Sequence, residues 1–105
     1  MAELGIRVER QNGQACLLVV GELDVATGPA LLEAVGQLLA TGEDPALVVD
    51  LTGVEFLDSS GLGALLQARA EAVAAGGQLT LTGVALGPRR VITIAGLAGT
   101  FGLEG

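Results

Sequence analysis

Two short apolar runs, residues 15–20 and 46–51, flank a segment in which Leu31, Leu32, Val35, Leu38 and Leu39 recur at helical spacing. Strand, helix and strand in this order constrain the fold more than any other feature of the chain. Such a unit sets its strands side by side and parallel, joined by a right-handed crossover. A second unit follows at once. Leu62, Leu65, Leu66, Ala70 and Val73 form the next helical stripe, and residues 78–82 alternate as a strand does.

The rest of the chain completes this frame. Ile6-Arg7-Val8-Glu9 alternates apolar and polar, and Gln11-Asn12-Gly13-Gln14 is a tight hairpin turn. The opening hairpin therefore supplies one antiparallel edge strand. The run 16–20 is continuously apolar, as a strand buried on both faces is. Thr27, Gly28 and Pro29 open the first helix, where the missing N–H of proline costs little, and Thr41-Gly42 with Pro45 stop it. Residues 52–57 read as a link to the second helix, which runs from about Ser59 to Ala75 and ends at Gly76-Gly77. Gly87-Pro88 opens a short third helix, and residues 100–103 read as a last short strand. The expected architecture is α/β: one domain over residues 1–105, order β-β-α-β-α-β-α-β, with a mixed, mostly parallel sheet.

Composition narrows the function. The formal charge is −7, which gives no electrostatic footprint for nucleic acid and disfavours anionic membranes; a partner with a basic face suits it better. There is no histidine, and the five basic residues are all arginine: Arg7, Arg10, Arg69, Arg89 and Arg90. That removes a Ser-His-Asp triad, a lysine base and most zinc sites. Leu57, two residues before Ser59, excludes a G-x-S-x-G elbow, and no phosphate-binding P-loop occurs. We expect no enzyme, no cofactor and no metal. The single cysteine, Cys16, excludes an internal disulfide and reads as a small strand residue. No stretch has the length of a transmembrane helix, and Met1-Ala2-Glu3-Leu4 does not read as a secretory leader. The expected setting is cytoplasmic, and the expected state a monomer.

The stretch Asp58-Ser59-Ser60-Gly61-Leu62-Gly63 stands where the second helix begins. Backbone N–H groups lack partners at a helix start and the dipole favours negative charge, so a phosphate carried by a serine is well placed there. An ordinary cap needs only one such polar residue, worth about 1 kcal/mol, and here three occur in a row. Gly61 and Gly63 weaken the first turns by up to roughly 1 kcal/mol each against Ala and bare the backbone to a close-approaching group. Glu22 and Asp24 end the strand before; with parallel strands, both loops open on the sheet edge where α/β folds place their sites.

Gly21-Glu22-Leu23-Asp24, Leu47-Val48-Val49-Asp50-Leu51, Phe56 through Gly63, Gly76-Gly77-Gln78-Leu79 and Ile94-Ala95-Gly96-Leu97 together resemble the STAS family. The likeness is nearest to the bacterial anti-sigma factor antagonists and covers nearly the whole chain. It implies that the unphosphorylated protein binds an anti-sigma factor that is itself a serine kinase, freeing a sigma factor. It implies phosphorylation of Ser59, which weakens the complex, and reversal by a PP2C-type phosphatase. Partner contacts are implied at Glu22, Asp24, Asp58, Ser60, Gly61, Leu62 and Gly63. The physics agrees: phosphoserine beside a carboxylate about 6 Å away is repelled by on the order of 1–5 kcal/mol, while the helix dipole returns only ~0.3–1 kcal/mol. The alternative implied by the same family is a scaffold module of a stressosome-type or transporter-associated complex. The resemblance also implies one more helix after the last strand; with Gly105 as the last residue of the sequence, that helix is expected to be missing or truncated here.

Overall fold

The computed structural model describes residues 4–103. The start at Met1–Glu3, read as no leader, and Glu104 and Gly105 lie outside the described residues. Seven elements follow in order: β1 (Leu4–Gln11), β2 (Gln14–Leu23), α1 (Gly28–Ala40), β3 (Ala46–Leu57), α2 (Ser59–Ala74), β4 (Gln78–Thr82) and α3 (Leu86–Ile94). The strands form one sheet in the order β1-β2-β3-β4. β1 and β2 are antiparallel, joined by a two-residue turn in which Asn12 and Gly13 both have positive φ, 53° and 80°. That backbone twist matches the strands it joins. β2, β3 and β4 are mutually parallel, as the two crossover helices require.

Register explains the core. Ala15 lies beside Leu47 and Leu47 beside Leu79; Leu17 lies beside Val49 and Val49 beside Leu81. These side chains share one face and are buried. Leu31 and Val35 of α1 and Leu65, Ala68 and Ala72 of α2 close over them in a single apolar cluster. The α1 stripe read from the sequence supplies Leu31 and Val35, but of the expected α2 stripe only Leu62 and Leu65 are buried. Leu66, Ala70 and Val73 are exposed, and Ala64, Ala68 and Ala72 face the core instead, where small side chains let the helix pack closely. α1 and α2 also pack on each other: a Cβ added to Gly28 meets the Ala64 methyl at 3.1 Å.

Three further details differ from the sequence reading. First, β2 is not buried on both faces. Cys16 and Leu18 are half-buried and Val20 is 59% exposed. A half-covered face tolerates aliphatic residues, so an unbroken apolar run does not separate two-sided from one-sided burial. Second, residues 52–57 are not a link. β3 continues through them, paired with β2 as far as Leu23 and Leu57, with register shifts between Leu18 and Val20 and between Gly21 and Glu22. Third, residues 100–103 form turns rather than a strand, so the order ends at α3. Phe101 keeps one strand-like bond, Leu81 N to Phe101 O at 3.0 Å, but its ring is fully buried in the same core cluster as Ile92. Burial of an aromatic ring there outweighs the extension of a ladder.

Candidate functional site

The extension of β2 and β3 brings their last residues together. Leu23 pairs with Leu57, and the Asp58 N–H donates to Leu23 O at 3.4 Å. The loop after β2 and the start of α2 therefore lie side by side, as the parallel-strand argument expects.

Asp58 caps α2. Its backbone is extended, with φ −112° and ψ −174°, and Oδ1 accepts from Gly61 N at 2.9 Å. Its carbonyl accepts from Leu62 N, also at 2.9 Å. The ordinary cap is thus present, and it leaves Ser59 and Ser60 exposed on the first helical turn. A phosphate on either serine meets the positive end of a 16-residue helix.

Asp24 is also engaged. Its Oδ1 accepts from Ala26 N at 2.9 Å and Thr27 N at 3.1 Å. Thr27 is the buried polar residue of the loop; its hydroxyl accepts from Asp24 N at 3.0 Å and donates to Glu22 O at 2.7 Å. These bonds fix the loop rigidly and hold an acidic group beside the α2 start. The sequence reading placed Thr27 at the start of α1; its hydroxyl serves the loop instead of capping the helix.

The predicted residues do not all face the same way. Glu22, Ser59, Ser60 and Gly63 are exposed, Asp24 and Asp58 half-buried, and Gly61 and Leu62 buried. Gly61 does not bare its backbone to a visitor. An added Cβ stands 2.1 Å from Leu23 O, so glycine lets the helix start pass against the end of β2. Gly63 is different, since nothing of the chain lies within 4 Å of its added Cβ.

A shallow groove of about 400 Å³ runs between the starts of α1 and α2. Asp24, Val25, Leu32, Ser60, Gly63 and Gln67 are among its lining residues. Two exposed apolar side chains flank the site, Val25 at 75% and Phe56 at 47%. Periodicity gives no signal for either, because Val25 follows β2 and Phe56 lies within β3, where single apolar residues are ordinary. Among the described residues no cluster of metal-ligating side chains occurs and no helix is long and apolar enough to cross a membrane. What the arrangement offers is an exposed hydroxyl pair, an acidic neighbour and a small-residue groove with an apolar rim.

Comparison with known proteins agrees with this description. The family model described as Mlab, STAS domain, matches residues 6–104. The anti-sigma-F factor antagonist RsfB of Mycobacterium tuberculosis is 39% identical over 98 residues, which is 93% of this chain and 79% of that protein. The anti-sigma-B factor antagonist of Listeria monocytogenes is 32% identical over 90 residues, 86% of this chain and 78% of the relative. The crystal structure of an anti-sigma factor antagonist from Mycobacterium paratuberculosis superposes with a TM-score of 0.82 at 37% identity, covering 96% of this chain and 85% of that one.

Proposed function

Because the chain belongs to the STAS domain family, we propose that it is an anti-sigma factor antagonist switched by phosphorylation of Ser59. The unphosphorylated surface at the start of α2 binds an anti-sigma factor that is a serine kinase, and a sigma factor is freed. Transfer of phosphate to the Ser59 hydroxyl weakens that complex, and a PP2C-type phosphatase restores it. The observation that carries this reading is the exposed Ser59-Ser60 pair, capped by Asp58 and set beside the rigid Asp24 loop through the Asp58–Leu23 bond.

The switch needs no change of fold. A phosphoserine adds about −1.5 to −2 charges at pH 7 and several acceptor oxygens. The helix end tolerates it, since the dipole favours an anion by ~0.3–1 kcal/mol. A partner packed into the groove does not, because the new charge must be desolvated next to Asp24 and Asp58. A local electrostatic change is then enough to separate the complex. Glu22, Asp24, Asp58, Ser60 and Gly63 supply the polar and small-residue contacts of this surface. Gly61 and Leu62 act beneath it by setting the helix start.

The test is incubation with a cognate ATP-binding anti-sigma kinase and ATP, followed by mapping of phosphate by mass spectrometry. One phosphate on Ser59 with release of the kinase is expected. Phosphate on Ser60, which lines the groove, moves the switch by one residue. Stable binding without phosphate transfer moves the protein to the scaffold class of the same family.

A further inference from the structure

The outer edge of β1 has no strand partner among the described residues. Its hydrogen-bonding phase follows from the hairpin. A two-residue loop is closed by a hydrogen-bonded pair, here Gln11 with Gln14, and bonded and non-bonded pairs alternate along an antiparallel ladder. Gly5, Arg7, Glu9 and Gln11 therefore turn their backbone groups toward β2. Leu4, Ile6, Val8 and Arg10 turn theirs to the open edge.

Exposed edges are ordinarily protected by proline, lysine, bulges or a covering segment. β1 has no proline, no lysine and no register shift against β2, and Val8 is 42% exposed. It does carry charge, but in alternating sign: Arg7 and Glu9 lie on one face, 3.2 Å apart and exposed at 73% and 44%. That pattern can be tested against a second copy of the same strand.

Antiparallel pairing of two β1 edges about a two-fold axis has four central registers. An axis at Ile6 sets Arg7 against Gly5 and pairs only residues 4–8, two fewer than an axis at Val8. An axis at Arg7 sets Arg7 against Arg7 of the second copy, and an axis at Glu9 sets Glu9 against Glu9. Like charges directly opposite destabilise a ladder. An axis at Val8 sets Arg7 against Glu9 twice, both in non-hydrogen-bonded pairs where side chains stand closest. It also sets Val8 against Val8 and lays the Arg10 stem along Ile6. The outward backbone groups of Ile6, Val8 and Arg10 are the ones this register needs. Arg10 is free to take part, since only its guanidinium is engaged, with Glu43 at 2.8 Å.

We propose that β1 is a self-association edge, pairing with β1 of a second copy in the register centred on Val8 and joining the two sheets into one. This replaces the expectation of a monomer and does not depend on the reading of Ser59. The association is weak and reversible, because each copy carries a net charge of −7 that opposes it.

Sedimentation equilibrium over about 1 μM to 1 mM, the range expected for one paired edge, tests it. The mass is expected to rise from 10.4 kDa toward twice that value. Glu9→Arg and Arg7→Glu, each alone, are expected to weaken the dimer about tenfold or more. An equimolar mixture of the two variants is expected to associate again, as is the double swap Arg7→Glu/Glu9→Arg alone. Both positions are exposed, so circular dichroism and the urea midpoint stay unchanged and report that the variants fold. A mass that never rises, a dimer indifferent to both single variants, or a mixture that stays monomeric overturns the proposal.

Discussion

The Asp58 amide donates to the Leu23 carbonyl, 3.4 Å away, and this bond joins the loop that carries Asp24 to the helix start that carries Ser59. Two segments that are 35 positions apart in the chain thereby become one surface. Anything that separates Leu23 from the α2 start should damage both the fold and the site.

Gly61→Ala tests that separation. The new methyl meets Leu23 O at 2.1 Å and the Leu57 side chain at 2.9 Å, so the helix start must move. Overpacking of this kind costs about 1–3 kcal/mol. Gly63→Ala meets nothing within 4 Å and gains helix propensity of up to ~1 kcal/mol. The same substitution two residues apart should change stability in opposite directions. Urea denaturation of both variants checks the pair. Gly63→Ala should also weaken partner binding, because its methyl enters the groove.

Asp58→Ala removes the acceptor for Gly61 N and should cost about 0.5–2 kcal/mol, whereas Asp58→Ser should retain most of the stability. Thermal melts of the two variants suffice. Equal losses would show that the cap geometry contributes little.

Ser59→Ala should bind the kinase partner and resist release when ATP is added. Ser59→Asp should bind at least about tenfold more weakly, the equivalent of ~1.4 kcal/mol. Its own stability should stay within about 0.5 kcal/mol of the parent, because an acid at a helix start is tolerated. Titration calorimetry together with a melt separates loss of binding from loss of fold. Unchanged binding by the aspartate variant would argue against a switch based on charge.

The sequence carried the helix starts well, because they are spelled out by Pro29 and Asp58, but it misplaced the buried face of α2, where the larger Leu66 and Val73 are exposed and the small Ala68 and Ala72 are buried. It carried the strand ends poorly. Residues 52–57 read as a link locally, yet pairing between β2 and β3 draws both strands onward to Leu23 and Leu57. Non-local pairing outweighs local preference there. Residues 100–103 failed in the opposite sense: an extended-looking segment became a turn because Phe101 gains more from burial in the core. At the site, the capping role of Asp58 was legible from residue type alone. The role of Gly61 was not, since only the folded chain shows Leu23 O waiting beside it.

Phe101→Ala measures how much that burial contributes. The ring is fully buried within the same cluster as Ile92 and Leu81. Removing it should cost about 3–5 kcal/mol. Phe101→Leu, which keeps most of the volume, should cost less than the alanine variant. Denaturation midpoints of the two proteins check the order. A small effect for both would mean that the turn segment 95–103 is held chiefly by its backbone bonds, such as Leu103 N to Ala98 O at 2.8 Å.

Cys16 offers a prediction in pH. Its thiol pKa is raised, first by burial and then by the negative charges of Asp50 and Glu9 on the same open face of the sheet. The thiolate is the reactive form, so the folded protein should be alkylated by iodoacetamide more slowly near neutral pH than the same chain in urea. The two rates should converge only above the ordinary thiol range. Asp50→Asn removes one repelling charge and should speed alkylation of the folded protein, while burial still holds the pKa above its usual value. The linkage has a definite sign. Between the unfolded and the folded pKa the native state holds a proton that the unfolded chain has lost, so stability falls as pH rises. The contribution is fully present below the unfolded pKa and is lost as pH climbs through the folded one. Cys16→Ser should flatten that alkaline loss, and denaturant midpoints of both proteins across alkaline pH provide the measurement. An identical slope in the two would assign the alkaline loss to other groups.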